Sequence, residues 1–157
     1  MKVGKKPAGG QAAARLLFLA YGVLMLWLLF GQRIGPEGVE LFGGSVTNLN
    51  LQPFKTIKMY ANIVINSTNG NLLRHALINL AGNVVMFVPL GALLPGIWKR
   101  MRGVLSTFLS AALLILLVEA VQYVTGLGSC DIDDLILNLA GVVLGYGMWK
   151  LSTRIRL

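Results

Sequence analysis

Seven polar side chains sit in or beside the long apolar runs of this 157-residue chain, and their spacing is helical. Asn79 and Asn83 are four residues apart, Glu119 and Gln122 three, and Asp131, Asp134 and Asn138 follow one another at three and four. Each set would form a stripe along one helix face. Such groups could accept and orient hydrogen bonds from a ligand, and Glu119 could act as a general base. With Asp131 and Asp134 it could also offer oxygen ligands to a hard cation. The same residues have plainer uses. Membrane amides commonly hydrogen-bond between helices, Asp131 suits a helix N-cap, and an acidic first turn complements a helix dipole. Asp133 falls off the stripe and reads as solvated.

Other chemistry finds few parts. His75 is the sole histidine and reads as an interfacial residue, and no serine lies in a Gly-x-Ser-x-Gly context. Phosphate-loop, HExxH and dinucleotide glycine patterns are lacking, so the sequence implies no cofactor and no dedicated metal site. Cys130 is the single cysteine, which rules out an intrachain disulfide.

The elements that must hold these groups are membrane helices. Hydrophobic residues make up 55% of the chain and charged ones 13%, and the apolar residues fall in runs that only lipid could cover. Four runs are long enough to cross about 30 Å of hydrocarbon at 1.5 Å per residue: Ala12 to Phe30, Leu72 to Trp98, Val104 to Val124 and Ile132 to Leu151. The first reads as a signal anchor, because Gly31-Gln32-Arg33 makes a poor cleavage site. The second should be kinked or broken near Pro89. The expected fold is an all-α membrane protein with one four-helix domain over residues 12–157, preceded by a basic cytoplasmic tail over residues 1–11.

Net charge is +8, but the basic residues flank apolar runs rather than covering a soluble face, which argues against nucleic acid. They cluster at the N-terminus, in Lys99-Arg100-Met101-Arg102, and in Lys150, Arg154 and Arg156. All three clusters fall on one side of a four-span topology, so both termini are expected inside a bacterial plasma membrane. The other side receives residues 31–71 and the turn over residues 125–131, which has no Lys or Arg. In the longer segment Pro53 could begin a short interfacial helix. Phe54, Ile57, Ala61 and Val64 would face inward, with Lys55, Lys58 and Asn62 outward. A strand from Val46 to Leu51 is the alternative. Depth places the three polar stripes in the outer layer, where Arg33, Lys55 and Arg74 are the available cations. Gly141-x-x-x-Gly145 permits close helix packing or a homodimer.

Several segments, in order, resemble the VanZ-like family. They are Asn48-Leu49-Asn50-Leu51-Gln52-Pro53-Phe54-Lys55-Thr56-Ile57, Asn79-Leu80-Ala81-Gly82-Asn83 with Phe87-Val88-Pro89-Leu90-Gly91, Glu119-Ala120-Val121-Gln122, and Asp131-Ile132-Asp133-Asp134-Leu135-Ile136-Leu137-Asn138 with Gly141 and Gly145. The resemblance covers residues 48–146. It implies a multi-pass membrane protein associated with low-level resistance to teicoplanin-type lipoglycopeptide antibiotics.

The leading expectation is a non-enzymatic protein whose outer-leaflet pocket binds an amphiphile, either a lipoglycopeptide or a lipid-linked cell-wall precursor. Glu119 and Asp134 would contact its polar parts, with Asp131, Asn79, Asn83, Gln122 and Asn138 orienting them. Two readings compete. One is a membrane-embedded enzyme acting on a lipid-linked intermediate, with Glu119 as base and Asp131 and Asp134 on a divalent ion. The other is a packing scaffold for envelope proteins.

Overall fold

The computed structural model describes residues 8–30, 49–127 and 129–155. Four long apolar helices, able by length and composition to cross a membrane, carry the fold: α1 (Ala8–Leu29), α3 (Gly70–Ile97), α4 (Val104–Thr125) and α5 (Ile132–Ile155). A shorter amphipathic helix, α2 (Lys55–Asn66), precedes α3. Two-residue strands β1 (Leu49–Asn50) and β2 (Cys130–Asp131) pair in parallel, Leu49 with Cys130 and Asn50 with Asp131. Helix α1 starts at Ala8, so the expected tail is already helical in its last residues.

Solvent preference is written on the helix surfaces. Leu105, Leu109, Leu113 and Leu117 recur every four residues along α4 and are each more than half exposed. In water such a stripe would be an aggregation surface, whereas facing hydrocarbon it incurs no penalty.

The main seam joins α3 to α5, the most extensive helix contact among the described residues. Both helices begin at the same end and run side by side. A Cβ at Gly141 would lie 2.1 Å from the Val84 carbonyl oxygen, one at Gly145 1.9 Å from that of Val88, and one at Gly91 2.1 Å from that of Val142. Helix backbones therefore touch directly, the arrangement small residues permit between membrane helices. The Gly141 and Gly145 face thus packs against α3 within the chain. The apolar core beside this seam contains Phe87, Leu90, Ala111, Ile115 and Val142.

Helix α3 continues through Pro89 and Pro95 without the break that is one of the two expected outcomes at Pro89. Each proline removes only one N–H, and buried packing around Leu90, Gly91 and Leu94 holds the flanking turns in register. Its 28 residues span about 42 Å, more than the hydrocarbon core requires. Its start is capped by the Asn69 side chain, which accepts from the N–H groups of Asn71 (3.0 Å) and Leu72 (3.3 Å). Helix α2 packs there, with Tyr60 against His75 at 5.8 Å between ring centroids. Lys55, Lys58 and Asn62 are exposed as expected, but so is Phe54.

Helix α1 is attached at three levels. Phe18 meets Trp98 edge-on at 5.1 Å, Tyr21 donates its hydroxyl to the Met86 carbonyl (2.9 Å), and Gln122 Nε2 donates to the Leu29 carbonyl (3.2 Å). The end of α1 thus lies beside the end of α4 and the start of α5. Lys99, Arg100 and Arg102, in the turn between α3 and α4, mark the opposite end.

Candidate functional site

Four of the six acidic residues, Glu119, Asp131, Asp133 and Asp134, gather at the end of the bundle away from that basic turn. One helix starts there without a side-chain cap of its own. Helix α2 has Phe54 at its N-cap, a side chain that accepts no hydrogen bond, in left-handed backbone with φ 65°. Asp133, fully buried in the first turn of α5, supplies the missing cap from another helix. Its Oδ1 accepts the Phe54 N–H (2.5 Å), and its Oδ2 accepts those of Thr56 (2.7 Å) and Ile57 (3.0 Å). A carboxylate holding three backbone donors at a helix start offsets the desolvation of its charge. The α2 helix accordingly begins at Lys55 rather than Pro53, where Asp133 can reach it.

Asp131 caps α5 as expected, accepting the Asp133 N–H at 2.9 Å. It also accepts from Asn50 Nδ2 (3.1 and 3.2 Å to its two oxygens) and from the Thr56 hydroxyl (2.6 Å). Asn50 donates to Thr56 Oγ1 as well, at 3.0 Å. Two aspartates two residues apart therefore clasp the segment from Leu49 to Ile57 onto the bundle. Asp133, expected to be solvated, is the most buried carboxylate of the group. The expectation failed because helix periodicity describes faces within one helix and carries no sign of a separate segment laid over its first turn.

Behind the clasp lie the remaining expected site residues. Asn83 Nδ2 donates to Asp134 Oδ1 at 2.6 Å, joining the α3 and α5 stripes. Glu119 is buried, and its Oε2 lies 3.4 Å from the Asp131 N–H, joining α4 to them. The three stripes thus converge in one layer. Gln122 is also buried, but its amide nitrogen is engaged by the end of α1. Asn79 and Asn138 each bury an Oδ1 that has no hydrogen-bond partner among the described residues. Arg33 and residues 46–48 lie outside the described residues, while Lys55 and Arg74 are exposed.

The field of this layer reaches its surroundings. Burial, then Asp134 and Asp131, pushes the Tyr60 hydroxyl above its ordinary value. Burial first, then Glu119, Asp131 and Asp134, does the same to the Cys130 thiol. A thiol whose pKa is raised holds less reactive thiolate at a given pH. Alkylation of Cys130 by iodoacetamide at pH 8 should therefore be slower than that of an exposed cysteine. Glu119→Gln should speed it, because one of the charges that raise the Cys130 thiol is removed. An unchanged rate would mean that Glu119 carries no charge near Cys130. Among the described residues no three His, Cys, Asp or Glu side chains gather as a metal site, and Asp131 spends its oxygens on the clasp.

A family model, VanZ/LLP1, matches residues 18–153, which takes in every residue of the clasp and the layer behind it. The chain belongs to the VanZ/LLP1 family. It is also similar to Protein VanZ of Enterococcus faecium, 28% identical over 145 residues that cover 92% of this chain and 78% of that protein. No solved structure matches. The family match extends beyond residues 48–146 at both ends and includes α1 from Phe18 onward, so the family unit contains all four long helices. Asn50, Thr56 and Asp133 were not among the expected site residues. A helix start with no capping side chain at Phe54, together with the Asp-x-Asp spacing, was the available signal.

Proposed function

We propose that this VanZ-like membrane protein lowers susceptibility to teicoplanin-type lipoglycopeptides by binding an amphiphile at the carboxylate and amide layer. The basic turn would face the cytoplasm of a bacterial plasma membrane and the acidic layer the outer leaflet. The observation that carries the reading is the pair of buried, unpartnered oxygens, Asn79 Oδ1 and Asn138 Oδ1. A buried acceptor left without a donor costs about 1–3 kcal/mol, and a headgroup rich in hydroxyl or ammonium donors would recover it. Asn83, Asp134 and Glu119 are the further contacts of that headgroup. Similarity to Protein VanZ supports the resistance role.

Glue and ligand contact are separable at Asn138. If its oxygen awaits a ligand, Asn138→Leu removes an unsatisfied group, keeps the same branched heavy-atom outline, and leaves thermal unfolding unchanged or raised by about 1 kcal/mol. In a susceptible Gram-positive host expressing the protein, teicoplanin protection should nevertheless disappear with Asn138→Leu and fall with Asp134→Asn, while vancomycin sensitivity stays flat. Wild type giving no teicoplanin protection would sink the resistance role. Full protection with Asn138→Leu would sink the binding layer.

A further inference from the structure

Between α1, α3 and α4 lies a half-open cleft of about 260 Å³, walled by Gly22, Met25 and Leu29 of α1, Phe87 of α3, and Leu114 and Val118 of α4. The one hydroxyl in its wall, on Tyr21, is already donated to the Met86 carbonyl. The lining runs from Phe18 to Leu29, about 16 Å of helix. At one end both facing walls turn polar within a single helical turn. On α3, Asn83 precedes Phe87 by four residues, and on α4, Gln122 follows Val118 by four with Glu119 between them. Gly22 faces unfilled space, since a Cβ there would meet nothing within 4 Å.

We infer that this cleft seats a single acyl chain, carried by an amphiphile whose headgroup donates hydrogen bonds to the carboxylate and amide layer. The inference rests on the amphiphile-binding reading and names the apolar half of the ligand and the polarity of its head. An apolar cleft reached from hydrocarbon takes an apolar occupant, and its length suits an extended chain rather than a compact one. Asn83 and Gln122, one helical turn beyond the lining Phe87 and Val118, set the chain's direction, tail toward Trp98 and head toward the acids. That end leads toward Glu119 of α4 and the Asn83–Asp134 pair, whose carboxylates favour a donor-rich head over an anionic one.

The test uses the full chain in phosphatidylcholine vesicles with two photoprobes sharing one chain-terminal diazirine. One is an alkyl glucoside, the other a fatty acid. The glucoside should label cleft-lining peptides of α1 and α4 about tenfold above the lipid-facing Leu105 to Leu117 stripe, saturably, and unlabelled alkyl glucoside should compete. Gly22→Trp should remove that labelling and Gly22→Ala should keep it, while the fatty acid labels the cleft several-fold more weakly. Even labelling of all lipid-facing helices, or cleft labelling that is neither saturable nor blocked by Gly22→Trp, would overturn the cleft. Equal labelling by the fatty acid would overturn the donor-rich head. If Gly22→Trp failed to fold, saturation and competition in wild type would still decide the matter. Cleft labelling blocked by Gly22→Trp while wild type gives no teicoplanin protection would leave the chain site standing and sink the resistance reading. Protection lost with Asn138→Leu but no cleft labelling would do the reverse.

Discussion

Gly145→Leu should leave no correctly folded protein. The first side-chain carbon alone would stand 1.9 Å from the Val88 carbonyl oxygen and 2.9 Å from the Ala92 nitrogen, and both are helix backbone that no rotamer change can move. Relief requires α3 and α5 to separate by more than an ångström. Separation would also loosen the matching approaches of Gly141 to Val84 and Gly91 to Val142 along the same seam. Overpacking a core costs about 1–3 kcal/mol when side chains can adjust. Here they cannot, so the loss should exceed that range and consume much of an ordinary stability margin of about 5–15 kcal/mol. Gly147→Leu is the control, since a Cβ there meets nothing within 4 Å, and it should change stability by less than about 0.5 kcal/mol. Monodisperse yield in detergent and the thermal unfolding midpoint read both. Wild-type unfolding of Gly145→Leu would mean that the seam is not packed backbone to backbone.

Asp133→Ala should release the segment from Leu49 to Asn66 while the four long helices remain together. Three backbone N–H groups, of Phe54, Thr56 and Ile57, would lose their acceptor at once, and hydrogen bonds to charged groups are worth about 1.5–3 kcal/mol each. Part of that loss returns when the freed groups meet water, so a net weakening of at least about 3 kcal/mol is expected for the clasp. Amide exchange at Thr56 and Ile57 should then rise by two orders of magnitude or more, at about 1.4 kcal/mol per tenfold. Trypsin should cut after Lys55 or Lys58, exposed side chains on a helix that the clasp holds shut. Asp133→Asn keeps an oxygen without the charge and should fall between. Unchanged exchange in Asp133→Ala would show that α2 is anchored through its packing on α3 instead.

Legibility divided along physical lines. Hydropathy is a property of contiguous residues, so the four long helices and their order could be read from the chain directly, and each polar stripe could be read because helix geometry converts spacing into a face. Asn83 with Asp134, and Glu119 beside Asp131, confirm that the stripes look at one another. Asp133 resisted the same logic because its partners are backbone N–H groups 76 to 79 residues away, and every residue type except proline offers such a donor. Phe54 gave no warning of its left-handed backbone, a conformation rare outside glycine and asparagine that is held here by the clasp. Pro89 signalled a kink or a break, and the helix runs through it unbroken.

What the sequence alone determined was the solvent, the number of long helices, and the placement of Lys and Arg against Asp and Glu, all of which depend on residues near one another in the chain. The tertiary structure alone decided which acid holds the chain and which amides remain unmet. Asp131 and Asp133 face a segment from the far side of two long helices and spend their oxygens on it. Asn79 and Asn138 each bury an acceptor that no donor among the described residues meets. Hydrogen-bond satisfaction is a property of neighbours in space, and those neighbours exist only once α2, α3 and α5 have packed.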